Sequence, residues 1–180
     1  MFGSARNAHA TIDASLTVSS QDAGGGNFNY TLTLKNLATS TSPIETLWFS
    51  WVPGLDFMDV APTAESGPTN WDIFVESGFY YAGYSIRWTT TTADLNPGGQ
   101  MQFNFTSPIT PVDLAGNDHF FGYYPELESY VYSQSIEGGN SEALIAEQIP
   151  EPSTVALVGF GTIAALIGIS CRKLRFRNRK

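Results

Sequence analysis

Hydrophobic residues recur at every second position over most of this chain. Ile12, Ala14, Leu16 and Val18 alternate with Thr11, Asp13, Ser15 and Thr17, and Phe28, Tyr30, Leu32 and Leu34 alternate with Asn29, Thr31, Thr33 and Lys35. The same alternation returns at Ala82, Tyr84, Ile86 and Trp88, and again at Met101, Phe103 and Phe105. A period of two puts one face of a strand in a core and the other in water. Shorter aromatic or β-branched runs at 46–52, 71–75, 119–123 and 129–136 bring the expected count to about eight strands. Gly24-Gly25-Gly26, Ser42-Pro43, Pro53-Gly54, Gly67-Pro68, Asn96-Pro97-Gly98-Gly99 and Gly138-Gly139-Asn140 punctuate them as turns. No segment before residue 155 keeps a helical period.

Strands with one apolar face bury it most simply by packing two sheets together. The expected fold is all-β: an antiparallel β-sandwich over residues 11–136, immunoglobulin-like or jelly-roll. The pattern then breaks at Gly138-Gly139-Asn140-Ser141 and continues through Glu142-Ala143-Leu144-Ile145-Ala146-Glu147, which reads as a flexible tether over 137–149. Beyond it the pattern changes kind. Val155 to Cys171 is an uncharged run of 17 residues, about 25 Å as a helix, the short end for a hydrocarbon core of about 30 Å. Arg172 and Lys173 can extend it by snorkelling. With Arg175, Arg177, Arg179 and Lys180 they form a basic anchor that holds this end in the cytoplasm and sends the preceding chain across the membrane.

Charge follows the same division. Residues 1–150 carry 16 acids against three bases, Arg6, Lys35 and Arg87, a net of −13, whereas residues 151–180 carry one acid and six bases. So acidic a body is a poor partner for nucleic acid. Cys171 is the single cysteine and lies in the apolar run, so the body has no intramolecular disulfide, thiolate metal site or cysteine nucleophile. An outward body also needs an export signal. Residues 1–10 lack an apolar core segment, yet Ala8-His9-Ala10 has the small-x-small form of a signal-peptidase site and the strand pattern starts at Thr11. The expectation is that 1–10 is the remnant of a signal that starts upstream.

Pro150-Glu151-Pro152-Ser153-Thr154, followed by the apolar run and the basic tail, resembles the PEP-CTERM sorting signal of Gram-negative bacteria. The resemblance covers residues 150–180 and requires motif, helix and basic cluster to occur in that order. It implies processing near the motif by an exosortase, passage through the inner membrane, and delivery to the cell surface or an exopolysaccharide matrix. Pro150, Glu151 and Pro152 are then a processing site acted on by another enzyme. Each proline fixes its backbone and lacks an N–H, which keeps the motif extended.

The body offers little chemistry of its own. His119 has no nucleophile or ligand partner at a recognisable spacing, and the acid-rich stretch 113–118 lacks the alternation and terminal glutamate of a calcium loop. Asp56 with Asp59, and Glu126 with Glu128, are close in sequence, but glycosidase carboxylates must face each other across a substrate. The reading is non-enzymatic, with no metal and no cofactor. The alternative is a carbohydrate-binding module in which Trp48, Trp51 and Trp71 stack on sugar rings. Trp48 and Trp51 are three apart and point to opposite faces of any regular strand, which leaves one of them for the surface. Trp88 shares a face with Ile86 and Tyr84 and is expected to be buried.

Overall fold

The computed structural model describes residues 10–78, 83–116, 127–134 and 137–149. Residues 1–9 of the expected export-signal remnant, the expected strand at 119–123, the expected processing motif, the apolar run and the basic tail lie outside these residues. In chain order the strands are β1 (Ala14–Gly24), β2 (Asn27–Asn36), β3 (Thr46–Phe49), β4 (Trp51–Val52), β5 (Leu55–Asp56), β6 (Ala64–Ser66), β7 (Asp72–Ser77), β8 (Tyr84–Thr89), β9 (Gln100–Ser107), β10 (Glu128–Gln134), β11 (Gly138–Ile145) and β12 (Glu147–Gln148). A four-residue helix, α1 (Pro111–Leu114), follows β9. The fold is all-β, with antiparallel sheets. Among the described residues no helix is long and apolar enough to cross a membrane.

Two five-stranded sheets carry the core. The first has the order β12-β1-β2-β9-β6, the second β11-β10-β3-β8-β7, and β4 pairs with β5 in a small separate hairpin. All pairings are antiparallel except that of β12 with β1. The β1–β2 hairpin puts Leu16 opposite Leu34 and Val18 opposite Leu32. All four are buried, together with Tyr30, Phe103 and Phe105 from the same sheet and Leu47, Phe49, Ile86, Trp88 and Val131 from the other. Phe49 and Phe105 meet across the interior with ring centroids 5.2 Å apart, and Trp88 packs on Phe103 at 5.3 Å. Each large side chain withdrawn from water contributes about 1.5–3 kcal/mol, so this alternating set is what holds the sheets together.

The pairings are nested. β2 pairs with β9 in the first sheet and β3 with β8 in the second; outside these, β6 adds to β9 and β7 adds to β8. Consecutive strands therefore change sheets at each side of the core, β6 to β7 at one and β11 to β12 at the other. Trp71 lies on the first crossing, where it packs edge-on to Phe103 at 5.1 Å and donates its indole N–H to Ala93 O at 2.9 Å.

One expectation is corrected here. Residues 137–149 are not a flexible tether. Gly138–Ile145 is a full strand whose Leu144 and Ala143 oppose Ser129 and Tyr130 of β10, and Ala146 is buried at the point where the chain turns from one sheet to the other. The domain thus runs to residue 149. Asn140, Glu142, Leu144 and Ala146 do alternate with their neighbours, but strand β11 has few large apolar residues because it is an edge strand. Gly138 and Gly139 belong to its start, and Gly139 takes φ +73° there, beside an irregularity in the pairing with β10.

Candidate functional site

The outer face of the second sheet holds the most unusual cluster in the domain. The strand register aligns Phe74, Arg87, Trp48, Tyr130 and Ala143 in one row across β7, β8, β3, β10 and β11. All project away from the main core, because Phe49 and Ile86 beside them project into it. A row of aromatic side chains on an outer face would ordinarily be exposed. Here a local device covers its centre at Trp48, while Phe74 at one end stays exposed.

That device is Ser50. It takes φ +57°, in the left-handed region, and so ends β3 after Phe49 and reverses the facing of the residues after it. Trp51 then starts the β4–β5 hairpin, which folds back over the sheet through the Pro53-Gly54 turn, with Gly54 at φ +88°. The amide of Phe57 donates to Ser50 O at 3.0 Å and closes the hairpin base. Trp51 lands on Trp48, with centroids 4.3 Å apart and planes 16° from parallel. The edges of Tyr130 and Tyr132 complete its surroundings at 5.7 and 6.3 Å.

Arg87 is the charged member of the row. Its guanidinium lies 5.0 Å from the Trp48 ring centre and 4.4 Å from that of Phe74, and it pairs with Glu76 at 2.9 Å. Two cation–π contacts on a mostly buried guanidinium contribute of the order of 1 kcal/mol each. The Trp48 Nε1 and the Arg87 Nε are buried and without a hydrogen-bond partner. Ring contacts and the Glu76 pair hold them instead.

Beside this stack lies an open crevice of about 380 Å³. Trp48, Trp51 and Arg87 form one side, and the carboxylates of Asp56, Glu76 and Glu137 border it. Asp56 accepts from the Ser85 hydroxyl at 2.5 Å. Its pKa is raised above 3.8, mainly because burial penalises the charged form, with Glu76 adding repulsion and the Ser85 bond acting in the opposite direction. The crevice has an acidic lining with one cation already engaged.

The aromatic residues read as sugar-stacking candidates behave otherwise. Trp48 and Trp51 are 4% exposed and Trp71 is 6% exposed. The strand-parity argument fails for the first two because Ser50 interrupts the strand between them, so both lie on the same outer face and cover each other. Trp71 belongs to the main core. Trp88 is buried as expected. Nothing in the sequence singles out Arg87, Tyr130 or Tyr132, although Pro53-Gly54 so soon after Trp51 is a sign that the run 46–52 divides into two strands.

Other candidates resolve simply. Asp113 serves α1: its amide donates to the Thr110 hydroxyl at 3.1 Å, and that hydroxyl donates to its carboxylate at 2.6 Å. Among the described residues no group of three or more histidines, cysteines or carboxylates is placed to hold a metal. His119 and Glu126 lie outside them.

Comparison with known proteins adds one firm result. A family model described as the PEP-CTERM protein-sorting motif matches residues 148–175. No curated protein sequence matches the chain. Among solved structures, an inactive mutant of the GH20 exo-β-N-acetylglucosaminidase from Vibrio harveyi is similar, with a TM-score of 0.46 and 13% identity over 76% of this chain and 18% of that one. The same enzyme in complex with N-acetylglucosamine gives the same values. The chain thus spans less than a fifth of the length of those structures.

Fold and motif together define an all-β domain joined to a sorting signal. The chain carries a PEP-CTERM protein-sorting motif at residues 148–175. The motif marks it for an exosortase as processing partner, and implies export and membrane passage.

Proposed function

We propose that this protein is an exported, non-enzymatic component of the cell envelope or exopolysaccharide matrix. In this reading its body is a β-sandwich. The nested pairing of β2 with β9 and β3 with β8, each consecutive pair split between sheets, supports the jelly-roll form over the immunoglobulin-like one. Residues 155–171 anchor it in the inner membrane, with Arg172, Lys173, Arg175, Arg177, Arg179 and Lys180 on the cytoplasmic side, until an exosortase acts at Pro150, Glu151 and Pro152.

The observation that carries this reading is the sorting-motif match starting at residue 148, where the last strand of a domain with its own core ends. Burial of Trp48, Trp51 and Trp71 leaves these rings no broad face for sugar stacking, which favours a structural component over a binding module built on them. Replacing Pro150 and Glu151 with alanine in an exosortase-bearing native host tests it. The expected result is a longer, membrane-retained form; equal release of variant and wild type would defeat the proposal.

A further inference from the structure

The processing motif begins where a hydrogen-bonded strand stops. β12 lies parallel to the outer edge of β1, with Glu147 beside Thr17 and Gln148 beside Val18. The amide of Ile149 donates to Val18 O at 2.8 Å, and the Gln148 side-chain amide donates to Pro111 O at 2.7 Å, at the start of α1. Ala146, just before, donates its N–H to Leu127 O at 2.9 Å and is buried. Residues 146–149 are therefore tied to three different parts of the domain: the β1 edge, the α1 turn and the segment leading into β10.

Chain length makes these ties matter. Between Ile149 and Val155 stand five residues, two of them proline. Fully extended, that connection spans about 20 Å at most. If the apolar run from Val155 is in the membrane, a processing enzyme must grip the motif within that span, beside a folded body of two packed sheets. Releasing 147–149 from β1 would add about 10 Å of free chain.

We propose that β12 is a releasable clasp that sets the rate of processing: the exosortase acts efficiently only when β12 has left β1. The inference rests on the sorting reading above. A two-residue strand at a sheet edge is the kind of element that opens locally without global unfolding. Gln148 is then a positioning residue. It makes no contribution to the reaction and restrains the chain that carries the motif. When opening and closing are fast, processing follows the open population, and loss of one ordinary hydrogen bond raises that population by about fivefold.

The experiment is pulse–chase of the full chain in an exosortase-bearing native host, using four forms. These are wild type, Gln148→Ala, a six-residue Gly/Ser insertion between Ile149 and Pro150, and both changes combined. The expected result is faster processing of Gln148→Ala, by about fivefold, and faster processing of the insertion variant, with Gln148→Ala giving no further gain in the insertion background. Equal acceleration by Gln148→Ala in both backgrounds would mean a general destabilisation and would overturn the clasp. So would an insertion variant processed at the wild-type rate, a result independent of whether Gln148→Ala folds normally. If wild type itself is never shortened, the sorting reading fails and the clasp with it. Shortening of wild type without any effect of the insertion condemns the clasp alone.

Discussion

Ser50 is the residue on which the outer aromatic cluster depends, and it is also a strained one. Its φ of +57° costs an L-residue other than glycine about 1–2 kcal/mol. Its side chain is fully buried and its hydroxyl has no hydrogen-bond partner, which costs about 1–3 kcal/mol more. Ser50→Ala removes only the second penalty. Ser50→Gly removes both but adds about 0.5–1 kcal/mol of backbone entropy to the unfolded chain. Both variants should therefore be more stable than wild type, Ser50→Ala by about 1–3 kcal/mol and Ser50→Gly by about 1–4.5 kcal/mol. For a domain of this size 1 kcal/mol corresponds to about 2–4 °C in Tm. Urea unfolding of the purified protein, with a higher midpoint at unchanged slope, is the assay. Near-ultraviolet circular dichroism should retain the signal of the stacked Trp48–Trp51 pair in both. Destabilisation by Ser50→Ala would refute the reasoning, because it would mean that the hydroxyl is usefully bonded; loss of the stacked-pair signal would mean that the turn is not set by the backbone at this position.

Other parts of the structure lead to three more expected outcomes. Asp56, Glu65, Glu128 and Glu142 all have pKa values raised chiefly by burial. Each holds its proton more tightly when folded, so its contribution is lost as pH rises above the ordinary values of 3.8 for Asp56 and 4.5 for the glutamates. Tm should rise on mild acidification from neutral pH, and Asp56→Asn, which can still accept from Ser85, should reduce that rise; a Tm that increases steadily toward alkaline pH would contradict this. Gly83→Ala should loosen the β4–β5 region severely, since a Cβ there would lie 1.9 Å from the backbone oxygen of Asp56. A cost of about 3 kcal/mol or more, read from denaturant unfolding, is expected, and a wild-type midpoint would be incompatible with that contact. Acrylamide should quench the fluorescence of the native protein weakly, because none of the four tryptophans is more than 6% exposed. Quenching close to that of the unfolded chain would place at least one of them at the surface.

Alternation of apolar and polar residues makes β1, β2, β8 and β9 legible directly, because each buries an apolar face against the opposite sheet and carries polar residues on the other. The Gly24–Gly26 and Asn96–Gly99 turns are equally clear, and glycines there do take positive φ. Where reading by pattern fails, a local or an edge effect overrides it. β11 and β12 escape the pattern because edge strands need few large apolar residues, and β12 is recognisable only through its pairing with β1. The rule that puts Trp48 and Trp51 on opposite faces holds within one strand. A serine in the left-handed region between them, which no propensity favours, makes it two strands and one face. The crevice beside them joins Asp56, Glu76, Arg87 and Glu137 from separate parts of the chain, and such convergence has no signature in sequence spacing. The processing motif is the reverse case. It is local and ordered along the chain, so it can be read in full from residues.

Mass spectrometry of the protein released by an exosortase-bearing host tests the central claim most directly. A mature form whose last peptide ends within or near residues 150–154, with 155–180 absent, is the predicted result. Released protein that still carries the peptide reaching Lys180 would contradict it.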